Sequence, residues 1–317
     1  MRAVFLDRST IDGSIDLAPI ESQVDNVTYF EHTTQDKIIY RAQFAEIIIS
    51  NKVILDNKIL SQLPKLKLIC VAATGTNNVD LEAAKRLGIA VCNVSSYSTT
   101  AVSQYVFALL LEAMQKTSLH IASTRQGDWQ SSPIFCHLST PINELAGKTL
   151  AIIGYGEIAQ SVAKIANAFS MQIIVAERKG STQIRDGRVS FEQAMATADI
   201  ITLHCPQTPE TENIINSQSL ALTKKGVILI NTARGGLINS RDLLSALKTK
   251  HIGYAILDVL EQEPPPKDHP LLNTNLNNLM ITAHVAWGSL QAQNRLIIGI
   301  ANNINSYLQG ELLNRIV

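Results

Sequence analysis

The chain has 317 residues, room for two domains at ~150 residues each, and 46% of them are hydrophobic, so a sizeable core can be buried. Lys plus Arg and Asp plus Glu both number 27, and a formal net charge of zero excludes a general electrostatic pull towards nucleic acid or an anionic membrane. Charged residues make up only 17%, against ~25% in typical soluble domains, which fits a surface partly covered in an oligomer.

Short apolar runs alternate with helical patterns from end to end, the pattern of parallel sheets with crossover helices. In the first third the expected strands are residues 2–6, 45–49, 66–71 and 89–93. The opening run is too short for a signal sequence, and no stretch approaches the ~20 apolar residues that span a bilayer. A helix lies between the last two of these strands, with Asp80 placed to cap it and Gly88 just past its end. A long helix is expected over 101–121, after the cluster Ser95-Ser96-Tyr97-Ser98-Thr99-Thr100. Val102, Val106, Phe107, Leu109, Leu110, Leu111 and Met114 cover most of its faces, as in a helix buried on all sides that meets its twin across a dimer axis. Residues 123–148, with Trp129, form a loop longer than the ~12–15 residues usual in compact domains, and so a covering or functional segment.

A second α/β series follows, with strands at 149–153, 172–176, 200–204, 227–231, 255–259 and 279–283, the make-up of a doubly wound dinucleotide domain. A last helix, about 293–309, has no sheet of its own and is expected to pack back on the first domain. The fold class is therefore α/β, with two doubly wound parallel-sheet (Rossmann-like) domains. One, discontinuous, is 1–98 plus 289–317 and binds substrate; the other, 99–288, binds the cofactor. The active site is expected in the cleft between them, where closure would exclude water. Cys70, Cys92, Cys136 and Cys205 form no CxxC pair and no metal-ligand spacing, so they read as core thiols of a reduced, cytoplasmic protein without a metal.

Gly154-Tyr155-Gly156-Glu157-Ile158-Ala159 joins an expected strand to an expected helix. In such a loop Gly154 permits the tight turn, Gly156 lets backbone approach a pyrophosphate, and Ala159 allows close helix–strand packing. The helix N-terminus offers free N–H groups to the phosphates. Glu177 ends the next strand, 18 residues past Ala159, where it can bond the adenosine ribose hydroxyls. An acid there repels a 2′-phosphate and favours NAD, although Arg178 and Lys179 follow at once and could tolerate NADP.

Three polar residues stand near the ends of later strands: Arg234 in Asn231-Thr232-Ala233-Arg234-Gly235-Gly236, Glu263 in Asp258-Val259-Leu260-Glu261-Gln262-Glu263-Pro264, and His284 in Thr282-Ala283-His284-Val285-Ala286-Trp287-Gly288. Taken singly, each has a bland reading: a satisfied strand-end histidine, a surface ion-pair partner, a solvated carboxylate. Together, after a nucleotide fold, they suit reduction of a keto acid. A hydride arriving at the carbonyl carbon creates an alkoxide that needs a proton donor near neutral pH, and histidine fills that role best. A neighbouring carboxylate orients the imidazole, and arginine offers a substrate carboxylate a planar, two-pronged cation.

With these segments, and the run Leu203-His204-Cys205-Pro206-Gln207-Thr208-Pro209-Glu210-Thr211, the chain resembles the D-isomer-specific 2-hydroxyacid dehydrogenase family over essentially its whole length. The resemblance implies a substrate-carboxylate role for Arg234, an acid–base role for His284 and a pKa-raising role for Glu263. It implies that Gly154, Tyr155, Gly156, Glu157, Ile158 and Glu177 hold the cofactor, with His204, Cys205, Pro206 and Thr211 lining its adenosine side. Thr232, Ala233, Arg234, Asp258 and His284 would lie at its nicotinamide end, and backbone amides at Thr74-Gly75 would hold the substrate carboxylate. Two departures stand out: Ala159 for the commoner glycine, and Ala283 where many members carry proline. The run His284-Val285-Ala286-Trp287 is similar to the glycerate dehydrogenase (hydroxypyruvate reductase) branch. The alternatives are a phosphoglycerate dehydrogenase, another D-2-hydroxyacid dehydrogenase, or an NAD(H)-sensing interaction protein. A formate dehydrogenase-like member is disfavoured, because those pair the histidine with glutamine where Glu263 stands. The expected partners are thus a small 2-hydroxy or 2-keto acid and a second copy of the chain.

Overall fold

The computed structural model describes residues 1–311 and 313–317, and the chain divides into two compact units, residues 1–98 with 287–317 and residues 99–286. Trp287 and Gly288 thus belong with the first unit, ahead of the expected 289; the Trp287 ring packs edge-on against Tyr97 at 6.2 Å.

The first unit is built on a parallel sheet of β1 (Arg2–Phe5), β2 (Asn26–Tyr29), β3 (Ile47–Ser50), β4 (Leu68–Val71) and β5 (Ala90–Cys92), in the order β2-β1-β3-β4-β5. Every residue of β3, β4 and β5 is buried. Strands covered on both faces read as unbroken apolar runs, which is why they are visible in the sequence. β2 is not among the expected strands. It lies at the sheet edge, alternates exposed and half-buried residues, and Val27 is its only aliphatic residue. The helix Leu81–Arg86 has the expected ends: the Asp80 carboxylate accepts from the Ala83 N–H at 2.9 Å, and Gly88 turns the chain at φ +71°. The last helix, Leu290–Leu308, buries Leu296, Ile297, Ile300 and Ile304 and packs on the helix Ala18–Glu21 and on β4.

The second unit carries β6 (Thr149–Ile153), β7 (Gln172–Ala176), β8 (Ile200–Leu203), β9 (Val227–Asn231), β10 (Ile252–Leu257) and β11 (Leu279–Ile281), all parallel, in the order β7-β6-β8-β9-β10-β11. The order reverses between β6 and β8, and open α/β sheets bind ligands at such a point, beyond the strand C-termini. β10 and β11 end earlier than expected, which leaves Asp258 and His284 just outside their strands.

The expected helix 101–121 is two helices, Thr99–Gln115 and Thr117–Arg125, broken at Lys116 with φ +52°. Glu112 accepts from the Thr117 hydroxyl and, at 3.3 Å, from the Ser118 N–H, which gives the second helix a start of its own. The first buries Val102, Val106, Phe107, Leu110 and Met114, with Phe107 stacked on Phe169 at 5.5 Å. The second leaves Leu119 and Ile121 exposed, so burial on all sides does not hold for it. Beyond it, residues 126–148 form no helix or strand, and Phe135 is 90% and Leu138 75% exposed.

Candidate active site

Gly154 follows β6 at φ +86°, and a Cβ built on it would lie 2.5 Å from the Cys205 backbone nitrogen. Only glycine fits here, because it needs a left-handed backbone and because the chain leaving β8 crosses against it. Gly156 caps the helix Glu157–Ala168 without any side-chain cap, and a Cβ on it would meet nothing within 4 Å. Tyr155, Gly156 and Glu157 are exposed at this helix start, an arrangement that leaves room for a pyrophosphate. Ile158 is half-buried and Ala159 fully buried, which lets the helix pack close.

At the other end of the sheet the geometry converges on His284. Its backbone sits in the left-handed region at φ +53°, which costs a non-glycine residue of order 1–3 kcal/mol. Asp258, 1% exposed, holds that turn: its carboxylate accepts from Thr282 Oγ1 at 2.6 Å, the Val285 N–H at 3.0 Å and the Ala286 N–H at 2.9 Å. The Asp258 carbonyl also accepts from the His284 N–H at 2.7 Å. So positioned, His284 Nδ1 lies 2.6 Å from Glu263 Oε2, while Glu263 Oε1 accepts from the Leu260 N–H at 3.1 Å. With Nδ1–H given to the carboxylate, Nε2 is the nitrogen left to exchange a proton.

Arg234 is half-buried, donates from Nη1 to the Ala233 carbonyl at 2.6 Å, and forms no ion pair among the described residues. Its turn is shaped by Asn231, whose side chain donates to the Arg234 carbonyl at 2.8 Å and accepts from the Ala233 N–H at 3.0 Å. Gly235 meets the other loop directly, for a Cβ there would lie 1.8 Å from the Leu260 carbonyl carbon. Thr232 Oγ1 is buried with no partner among the described residues, an orphan that a polar ligand group would satisfy. Sequence reasoning missed the positioning work of Asn231, Gly235 and Thr282. All three lie in the motifs read from the sequence; Gly235 and Thr282 meet partners more than 20 residues away, while Asn231 ties together its own turn.

The adenosine side departs from expectation at one residue. Glu177 is buried beyond β7, and its carboxylate is taken up by Arg185, with Nε at 2.7 Å and Nη2 at 2.5 Å, and by the backbone N–H of Arg178 at 2.9 Å. These donors, Arg185 first, hold the Glu177 carboxyl down to about 2. Arg185 was not foreseen, because it pairs with the acid only through a loop that folds back. His204 sits by Thr202, its Nε2 2.9 Å from Thr202 Oγ1, and burial pushes its imidazole down to about 4, so it is neutral. Burial pushes the Cys205 thiol up to about 11. Pro206 accepts at its carbonyl from Thr211 Oγ1 at 2.7 Å, which closes the loop after β8. In the first unit, Thr74 donates from Oγ1 to the Val94 carbonyl at 3.0 Å, and its own carbonyl accepts from the Asn93 side chain at 2.6 Å; Gly75 follows it. Among the described residues no group of three His, Cys, Asp or Glu side chains could hold a metal ion, and no helix is long and apolar enough to cross a membrane.

The family model described as D-isomer specific 2-hydroxyacid dehydrogenase, NAD binding domain, matches residues 107–286. A glycerate dehydrogenase of Methylorubrum extorquens is 40% identical over 98% of this chain and 97% of its own. A hydroxypyruvate reductase of Blautia hydrogenotrophica is 34% identical over 99% of both chains. Among solved structures, an acyclic imino acid reductase in complex with NADPH and D-Arg is similar at a TM-score of 0.86, with 30% identity and 100% of both chains covered.

Proposed function

Since the chain belongs to the D-isomer specific 2-hydroxyacid dehydrogenase family, we propose that it is an NAD-dependent enzyme interconverting a small D-2-hydroxy acid and its 2-keto acid, with glycerate and hydroxypyruvate as the main pair and glyoxylate also accepted. The observation that carries the catalytic reading is the 2.6 Å contact between His284 Nδ1 and Glu263, on a turn that Asp258 holds in a strained conformation. A protein that only sensed the nucleotide would have no use for such a pair. The names of the relatives and the run His284-Val285-Ala286-Trp287 support the substrate reading.

Gly154, Gly156 and the helix N-terminus hold the pyrophosphate in this reading, beside Tyr155, Glu157 and Ile158. His204, Cys205, Pro206 and Thr211 line the adenosine side. Thr232 and Ala233 meet the nicotinamide end, where Asp258 contributes by fixing the neighbouring turn. The bound cofactor supplies the hydride. Arg234 clamps the substrate carboxylate, helped by backbone amides at Thr74 and Gly75, and turns the keto carbon to one face. His284 Nε2 gives its proton to the oxygen as negative charge develops there, and Glu263 stabilises the imidazolium that must precede this step. In oxidation the neutral imidazole takes the hydroxyl proton back.

A panel of hydroxypyruvate, glyoxylate, pyruvate and phosphohydroxypyruvate with NADH tests this reading. Hydroxypyruvate should give the highest kcat/KM. Turnover of none would overturn the enzymatic reading, and a preference for the phosphorylated acid would overturn the substrate. The reading also includes a cytoplasmic homodimer, in which a second copy covers Trp129, Ile134, Phe135 and Leu138, all exposed on one irregular segment. A monomer in sedimentation at micromolar concentration would sink that part.

A further inference from the structure

The acid that ends β7 is not free to face a ribose. Glu177 is 4% exposed, and each of its carboxylate oxygens has two donors: Arg178 N–H and Arg185 Nη2 on Oε1, Arg185 Nε and, at 3.3 Å, Arg185 N–H on Oε2. A carboxylate offers about four lone-pair sites, so none is left for a hydroxyl donor. The fork is two-pronged and charge-assisted, the strongest class of such contacts. The loop it closes is pinned at both ends, because the Glu177 N–H donates to the Val189 carbonyl at 2.8 Å and the Val189 N–H to the Val175 carbonyl at 3.0 Å.

That loop is also where a neutral chain concentrates positive charge. Residues 177–188 hold Arg178, Lys179, Arg185 and Arg188 against Glu177 and Asp186, four cations less two acids, or a net +2 where the whole chain has zero. Arg178, Lys179 and Arg185 are exposed, and Arg178 forms no ion pair among the described residues. Lys179 Nζ stands 5.5 Å from the Phe191 ring.

We propose that this loop accepts the 2′-phosphate of the dinucleotide, with Arg178 and Lys179 as its ligands, so that the protein takes NADPH with an affinity comparable to that for NADH. Glu177 acts at one remove: neutralised by Arg185, it holds the cationic loop in place and does not repel the phosphate. The inference rests on the reading that Gly154–Ala159 seats a nicotinamide dinucleotide, since the end of the strand after that loop then lies by the adenosine ribose.

Fluorescence titration of the full chain with NADH and with NADPH, without substrate, tests this directly. The two dissociation constants should lie within about tenfold of each other, and NADPH binding should weaken more with added salt. Replacing Arg178 and Lys179 together by Gln should weaken NADPH about tenfold or more and leave NADH within about threefold. Arg185→Met, which frees the Glu177 carboxylate, should also weaken NADPH and leave NADH unchanged or tighter. A parent that binds NADPH more than about tenfold weaker than NADH would overturn the proposal, as would a double variant that weakens both nucleotides equally. A parent that binds neither would overturn the dinucleotide reading itself, which is a separate failure.

Discussion

Asp258→Asn keeps nearly the same volume and tests whether this residue holds the His284 turn or mainly seats the cofactor. The carboxylate accepts from Thr282 Oγ1 and the Val285 N–H on Oδ1, and from the Ala286 N–H on Oδ2. An amide has one acceptor oxygen. With that oxygen in the Oδ1 place, its NH2 faces the Ala286 N–H; flipped, the NH2 faces the Val285 N–H. Either way one backbone donor in a site 1% exposed loses its acceptor, a cost of about 1–3 kcal/mol. For a unit of this size that is a melting-point drop of roughly 2–4 °C per kcal/mol. The kinetic effect should be larger. His284 at φ +53° relaxes once its turn loosens, and about 1 Å of displacement can cost about 10²-fold in rate. Thermal melts by circular dichroism and steady-state hydroxypyruvate reduction at saturating NADH measure both. Parental kcat with a raised cofactor Kd would refute the turn-holding role.

Glu263→Gln removes the carboxylate that orients the imidazole at 2.6 Å from His284 Nδ1. kcat for keto-acid reduction should fall about 10²-fold with cofactor affinity unchanged, and a parental kcat would reduce Glu263 to a solvated carboxylate. Arg234→Lys exchanges a planar fork for a point charge and should raise the substrate KM at least about tenfold, with cofactor affinity unchanged, as initial-rate and titration data would show. His204 has an ordinary value of 6.5 but is held down to about 4 by burial, so the unfolded chain binds more protons between those values. Stability should therefore fall as pH is lowered through that window, and His204→Gln should flatten the decline in denaturant melts.

The parts of this molecule that were legible in its sequence are those whose cause is local. The buried strands of both sheets show as apolar runs, and the Gly154–Ala159 turn shows because strand, glycines and helix are contiguous. β2 stayed hidden since an edge strand needs no apolar run, and Asn26–Tyr29 has none. The break at Lys116 was hidden for the opposite reason: an apolar pattern continues through it, while the cap that restarts the helix comes from Glu112. At the site, residue types pointed to His284, Glu263 and Arg234, but not to what aims them. Asp258 reaches 24 residues ahead to Thr282, and Arg185 turns back eight residues to Glu177, contacts that only the folded loops create.

Gly235 shows the same dependence most sharply and gives a prediction of its own. A Cβ there would lie 1.8 Å from the Leu260 carbonyl carbon, 2.0 Å from its oxygen and 2.3 Å from the Glu261 nitrogen. Carbon atoms rest at about 3.5–4.0 Å, so Gly235→Ala must move two backbones apart by roughly 2 Å. One of them carries Arg234, whose carbonyl is tied to Asn231; the other carries Leu260, whose N–H anchors Glu263. Glu261 resists the movement, since its carboxylate accepts from Ser240 Oγ at 2.7 Å and lies 3.2 Å from His269 Nε2. Overpacking of this kind costs about 1–3 kcal/mol in stability, and the rate should fall about 10²-fold because Glu263 no longer meets His284. The distinguishing measurement is a double-mutant cycle. If the methyl acts by parting Glu263 from His284, adding Gly235→Ala to Glu263→Gln should cost little more, because the link it breaks is already gone. Fully additive losses would instead assign the damage to Arg234, and an unchanged rate would mean that the two loops are not coupled through this contact.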